Sequence, residues 1–366
     1  MDQFDTVLFL NFYSHPVEKG VDFLGSTPGI EVNGLTPGKK TKTGYSTDAA
    51  TLERLRDDHP VVGHLLAYRE VEKLRSTYGE GLLAEVGPGD RIRATFNQTV
   101  ARTGRLSSDA PNLHNIPVRT EAGRAFRRAF VPSPGRSLLV ADYNQIELRC
   151  IAHLADDPGL IAAFEAGDDV HMAVASRTWG IQPSEVTTEI RNRAKMVAYG
   201  LAYGMEAYGL SQRLGSSVDE AAEILEAYFA AFPAVRAYMN RTVDAARRKG
   251  YTETLFGRRR RIPELSSPNY NVRQAGERQA MNAGIQGLAA DVFKVALIHI
   301  DRGLRASEAT SELILQVHDE VILEVPPAEL ADVEAMVRGE MTGAYDLRVE
   351  LAVEVATGAT WADTKN

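Results

Sequence analysis

A run of four apolar residues, Leu138 to Ala141, is broken at Asp142 and followed by Tyr143-Asn-Gln145-Ile-Glu147-Leu-Arg149. So short and continuous a run predicts a buried strand. Behind it Ile146, Cys150, Ile151 and Leu154 recur at helical spacing. A strand that turns into a helix with a carboxylate at the junction sets that carboxylate at an open sheet end. The plainer reading makes Asp142 the cap of the helix. A chemical role requires a partner from elsewhere in the chain.

Such a partner occurs near the C-terminus. Leu313-Ile-Leu-Gln-Val317 and Val321-Ile-Leu-Glu-Val325 flank His318-Asp319-Glu320, the pattern of an antiparallel hairpin with two acids at its tip. Adjacent acids repel one another and call for a compensating cation. Placed beside Asp142 across one sheet, Asp319 completes a carboxylate pair able to bridge two divalent ions. Oxygen donors of this kind suit Mg²⁺, which keeps waters and shares substrate phosphates. No Cys/His cluster offers a zinc alternative.

A second group is Arg191, Lys195, Tyr199 and Tyr203. Steps of four keep all of them on one slanting helical stripe. Two cations then precede two rings, an arrangement fit for a triphosphate followed by a base and sugar. An amphipathic surface with two core tyrosines has the same spacing.

Together these segments resemble the polymerase part of bacterial DNA polymerase I, the family A DNA polymerases. Asp142-Tyr-Asn-Gln-Ile-Glu-Leu-Arg149 is similar to motif A of that family. Arg191-x3-Lys195-x3-Tyr199-Gly-x2-Tyr203-Gly204 is similar to motif B, and Gln316-Val-His-Asp-Glu320 to motif C. Thr103-Gly-Arg-Leu-Ser-Ser108, Pro111 to Arg119, Ile285-Gln-Gly287 and Ala289-Ala-Asp291 also match, so the likeness runs from about Lys39 to the C-terminus.

The resemblance implies an α+β right-hand fold with an antiparallel-sheet palm, helical fingers and a partial helical thumb. The expected divisions are 39–90 for the partial thumb, 91–160 with 282–366 for the palm, and 161–281 for the fingers. Residues 1–38 stay unassigned. It implies template-directed addition of deoxynucleotides to a primer 3′ end, with primer–template DNA and deoxynucleoside triphosphates as partners. Asp142 and Asp319 would ligate two Mg²⁺ ions, with the Tyr143 carbonyl as a further ligand and Glu320 as a supporting acid. Arg191 and Lys195 would hold the triphosphate, with His171 and Gln145 as further nucleotide contacts. Tyr203 would stack at the template position. Arg105, Asn112, Asn115, Arg278, Asn282 and Gln286 fall on primer–template contacts, and His318 would lie near the primer terminus. Glu147 matches the side chain that excludes a ribose 2′-OH. Tyr199 stands where many members have Phe, which implies readier acceptance of dideoxynucleotides.

The remaining chain can be taken in order. Thr6 to Tyr13 reads as a strand, and Lys39 to Tyr45 as a basic loop. Ser46 or Thr47 opens a short helix ending near Pro60, and Pro60 starts a second that reaches about Tyr78. Between 91 and 130, eight arginines are interleaved with Asn, Gln and Ser, suiting either a phosphate track or a solvated basic face. Arg258 to Arg261 offers the same two readings. Ser217-Val-Asp-Glu220 is a capping-box pattern before the apolar stripe Ile224, Leu225, Tyr228 and Phe229. Helices are expected over 289–305 and about 328–341. Val349, Leu351, Val353 and Val355 alternate with Glu350 and Glu354 as a half-buried strand.

With 366 residues, two or three subdomains are expected. The chain is 44% hydrophobic and 25% charged, its apolar runs fall short of a membrane span, and no signal segment opens it. Its one cysteine, Cys150, excludes an internal disulfide and makes a reducing cytoplasm the default. A net charge of −8 argues against a uniformly basic surface but leaves room for a basic cleft.

Two departures from the family pattern stand out: Asn144 where motif A has Ser, and Leu288 where Thr or Ser is common. The nuclease and exonuclease-like domains and most thumb helices are not matched. Distributive synthesis without proofreading or 5′-nuclease activity is therefore expected, since a thumb supplies many phosphate contacts. Three rival readings remain: a metal-dependent nuclease, a single-subunit RNA polymerase, and a catalytically weak fragment that only binds DNA. Arg191, Lys195 and Glu147 oppose the first, and Glu147 the second.

Overall fold

The computed structural model describes residues 45–117, 121–167, 169–202 and 204–364. The strand expected at Thr6–Tyr13, most of the basic loop, Arg119 and Tyr203 lie outside the described residues. The chain divides into two compact units between Ile92 and Arg93.

In the first unit, the Ala49–Arg54 helix starts later and stops earlier than expected. Asp48, not Ser46 or Thr47, is its cap, because the Asp48 carboxylate accepts the Thr51 N–H at 2.7 Å while Ser46 donates to that same carboxylate. The Pro60–Lys73 helix begins at its proline, with His59 Nδ1 accepting the Val61 N–H at 3.1 Å. It does not continue as an α-helix to Tyr78: the ladder widens into a π-helix over Leu74–Glu80, which keeps Leu74 and Tyr78 buried. Leu52, Val62 and Leu65 form a small core.

The second unit is α+β. Its antiparallel sheet has the order Val353–Gly358, Ser137–Tyr143, Glu320–Val325, Glu312–Val317. Among the described residues, eight α-helices, from Ile146–Ala155 to Tyr270–Ala306, intervene in the chain between Ser137–Tyr143 and the other three strands. One continuous core joins Leu139, Ala141 and Leu323 of the sheet to Ile151, Val174, Val197 and Tyr228 of those helices.

The helix expected over 289–305 covers Tyr270–Ala306. Its first half is rich in small residues and lacks an apolar stripe, so periodicity does not reveal it. Those small residues serve close approach. A Cβ on Gly284 would stand 2.5 Å from Tyr238 Oη, and one on Gly287 2.5 Å from Thr254 Cγ2. By length and composition this helix could also cross a membrane, contrary to the sequence expectation, yet 72% of its apolar window is buried in the fold. The last strand pairs from Val353 rather than Val349, although Val349 and Leu351 are buried as the alternation requires. The last long helix spans Leu330–Thr342.

Candidate active site

The Ser137–Tyr143 strand is interior to the sheet, with Asp142 near its end. Asp142 pairs with Glu320 on one side and Glu354 on the other. Directly paired residues share a face, so three carboxylates stand in a row across three strands. Asp142 does not cap the following helix. That place belongs to Gln145, whose backbone is left-handed (φ 56°) and whose side chain makes no capping bond. The cap reading therefore falls.

The hairpin is tighter than its sequence suggests. Its strands end at Val317 and resume at Glu320, leaving His318 and Asp319 as the connection, with His318 left-handed at φ 56°. Glu320 is thus not at the tip. It is a buried strand residue whose Oε1 accepts the Trp361 indole N–H at 2.9 Å. Asp319 keeps the turn, and its carbonyl accepts the Tyr143 N–H at 3.2 Å. This backbone bond fastens the hairpin tip to the end of the central strand, beside Asp142.

Burial raises the Asp319 pKa, Arg105 opposes that rise, and the nearby Asp142 charge adds to it. Arg105 Nη2 donates to both Asp319 carboxylate oxygens, at 3.2 and 3.1 Å. It also donates to Glu147 Oε1 at 3.0 Å. Glu147, in the first turn of the Ile146–Ala155 helix, is buried. At the exposed tip, His318 lies 5.5 Å (ring centroids) from His114, whose Nε2 is 3.0 Å from the Gln316 carbonyl. Burial, with His318 second, lowers the His114 pKa.

The Thr188–Ala202 helix packs against the Ile146–Ala155 helix. Arg191 Nε and Nη2 both lie 2.6 Å from Asp169 Oδ2, while Lys195 is exposed. Asp169 Oδ1 caps the Val170–Trp179 helix by accepting the His171 and Met172 N–H groups. His171 is buried, 5.7 Å from the Tyr199 ring, and its Nδ1 finds no hydrogen-bond partner among the described residues. Burial first, with Lys195 and Arg191 adding to it and Asp169 opposing, brings its pKa down to about 4. Gly204 (φ 66°) ends this region where a Cβ would meet the Arg278 carbonyl at 2.9 Å.

Arg278, Asn282 and Gln286 follow one another at steps of four along the long helix. Arg278 donates to Glu206 at 3.2 Å, Gln286 is buried, and Asn282 Oδ1 is buried without a partner among the described residues. Asn112 and Asn115 are exposed, and Asn112 caps a short 3₁₀ turn. Asp142, Asp319, Glu320, Glu147 and Arg105 therefore gather at one sheet end, and Arg191, Tyr199 and His171 on an adjoining helix pair. Sequence reasoning assigned no site role to Asp169, His114 or Trp361, and read Arg127 only as one of eight arginines in a basic stretch. Only Asp169 carried a signal, an Asp directly before an apolar helix start.

The family model described as DNA polymerase family A matches residues 30–363. The chain belongs to DNA polymerase family A. Within that family it is 53% identical over 331 residues to DNA polymerase I of Mycobacterium tuberculosis (strain ATCC 25618 / H37Rv), covering 90% of this chain and 36% of the relative. Against DNA polymerase I of Geobacillus stearothermophilus it is 49% identical over 329 residues, covering 89% and 38%. The chain thus spans little more than a third of these relatives. Among solved structures, the POL domain of Pol1 from M. smegmatis, in complex with DNA primer-template and dNTP, superposes with a TM-score of 0.87 at 49% identity. That match covers 93% of this chain and 61% of the other, and the α+β architecture is that of a family A POL domain.

Proposed function

We propose that this chain is the nucleotidyl-transfer region of a DNA-directed DNA polymerase, extending a primer 3′ end with deoxynucleotides on a DNA template. The observation that carries the reading is the Tyr143–Asp319 backbone bond, which brings two sequence-distant acids to one sheet end. Under this reading residues 91–160 and 282–366 are palm, 161–281 fingers and 39–90 part of a thumb. A DNA-containing cytoplasm suits it.

The donor set fits divalent ions shared with a substrate. Among the described residues no three His, Cys, Asp or Glu side chains converge as a resident cage. The carboxylates are oxygen-only donors, and Asp319 already holds a cation in the form of Arg105. Asp142, Asp319 and the Tyr143 carbonyl would hold two Mg²⁺ ions, which when bound activate the attacking oxygen and steady the leaving one. Arg191 and Lys195 neutralise the triphosphate as charge develops on the departing pyrophosphate, with neutral His171 alongside. Gln145 and Tyr199 complete the nucleotide site, and Tyr203 takes the template position. Glu147, buried and held by Arg105, leaves no room for a 2′-OH. Arg105, Asn112, Asn115, Arg278, Asn282, Gln286 and His318 track primer and template, with hydrogen bonds to backbone and base edges. Primer extension with Mg²⁺ and four deoxynucleotides tests the reading. Incorporation must follow the template, and loss of either Asp142 or Asp319 must abolish it.

A further inference from the structure

Arg127 is the last residue of the Glu121–Arg127 helix and is 6% exposed. Its Nε and Nη1 are buried without a hydrogen-bond partner among the described residues. A buried guanidinium ordinarily forks onto a carboxylate, because removing its charge from water is costly. Here its carbon instead lies 3.8 Å from the centroid of the Trp361 ring. That ring is 1% exposed and is fixed from two sides. The Trp361 main-chain N–H donates to the Phe130 carbonyl at 2.9 Å, and the Phe130 ring meets the indole edge-on at 5.4 Å. The indole N–H points at Glu320 Oε1, 2.9 Å away.

A cation thus covers the face of an indole whose edge donates to an anion, and the two contacts strengthen each other. Glu320 faces Asp142 in register, so its carboxylate adds to a like-charged row. The Glu320 and Asp142 charges are both felt at Arg127, opposing the downward pull of burial on its pKa. Neither Arg127 nor Trp361 is among the residues assigned above to the nucleotide or to DNA.

We infer that Arg127 and Trp361 form a positioning unit: Trp361 orients the Glu320 carboxylate through its N–H, and Arg127 offsets the charge of the acid row from beneath the indole. This rests on the polymerase reading for its catalytic consequence. The alternative is that both side chains merely fill the core.

Trp361→Phe separates the two, since it keeps a ring for Arg127 and Phe130 but removes the N–H. Arg127→Lys keeps the charge, and Arg127→Met keeps much of the bulk without it. Single-turnover primer extension, Tb³⁺ luminescence titration without DNA, and thermal melting are measured on the full chain. Trp361→Phe is expected to slow extension about tenfold, the usual effect of losing a hydrogen bond to a charged group. Half-saturation by deoxynucleotide should stay near that of the parent, the protein should stay folded at a melting temperature a few degrees lower because the buried Glu320 oxygen loses its donor, and Tb³⁺ should bind more weakly. The Trp361→Phe/Glu320→Gln double variant should be no slower than Glu320→Gln, and Arg127→Lys should exceed Arg127→Met. Multiplying rate effects in the double variant, or an unaltered rate with unaltered Tb³⁺ binding in Trp361→Phe, would overturn the assignment. If the parent chain extends no primer, the polymerase reading fails, and weaker Tb³⁺ binding in Trp361→Phe would still uphold the positioning unit.

Discussion

Arg105 holds Asp319 by both carboxylate oxygens, at 3.2 and 3.1 Å, and reaches Glu147 from the same nitrogen at 3.0 Å. The guanidinium therefore sits on oxygens that the proposed function assigns to divalent ions, and it supplies the cation that the buried Glu147 and the half-buried Asp319 require. Arginine and metal would therefore compete for one carboxylate.

Competition makes a directional prediction. Without DNA, Arg105→Ala should bind Mn²⁺ more tightly than the parent, by about fivefold if the displaced contacts are worth ~1 kcal/mol net. Isothermal titration measures this. Weaker Mn²⁺ binding by the variant would mean that Arg105 organises the carboxylates rather than occupying them.

The proposed triphosphate grip shows the same feature. Arg191 is engaged by Asp169, at 2.6 Å, in a pair about one-third exposed. Asp169→Asn keeps the oxygen that caps the Val170–Trp179 helix and removes the charge that detains Arg191. Partly exposed pairs contribute modestly, so the deoxynucleotide KM should fall by roughly two- to threefold, with little change in melting temperature. An increase in KM would assign Asp169 to holding Arg191 in its working pose.

His171 sets a pH dependence. Unfolded, it takes a proton near pH 6.5, whereas in the fold burial brings that value down to about 4. The unfolded state consequently binds more protons throughout this window. Stability is complete above about pH 6.5 and declines as pH falls toward 4, by roughly 3 kcal/mol in all. Urea midpoints for the parent and for His171→Gln, followed from pH 7 to 4.5, should converge as the pH falls. Parallel curves would contradict the assignment.

The role proposed for Tyr199 concerns the sugar. Its phenol would supply the hydrogen bond that a missing 3′-OH leaves unmade, so Tyr199→Phe should discriminate more strongly against dideoxynucleotides. Competition between matched deoxy- and dideoxynucleotides reads this directly, and equal selectivity in the two proteins would refute it.

Much of this was legible because it depends on local pattern. The apolar run ending at Asp142 and the alternating hairpin arms are short-range signals, and they located the sheet that carries Asp142 and Asp319. What stayed hidden depends on contacts between distant segments. Glu320 reads as a second tip acid, and its burial rests on Trp361, 41 positions away. Arg127 reads as one arginine among many in a basic stretch, and only packing separates it from the exposed Arg128. The first half of the 270–306 helix escapes because its small residues follow the close approach of Tyr238 and Thr254 rather than an apolar period. Glu354 reads as the solvent side of an alternating strand and is exposed as that reading requires, but only the register with Asp142 shows that it lines up with the other acids.

The central claim is that Asp142 and Asp319 act as one site on a primer terminus and an incoming nucleotide. The direct measurement is extension of a labelled primer at low salt and high DNA concentration, with Mg²⁺ and deoxynucleotides, comparing the parent chain with Asp319→Ala. The account predicts templated addition by the parent and none by the variant at equal DNA binding. Addition that persists in Asp319→Ala, or a folded parent that binds the primer–template and adds nothing, would contradict it.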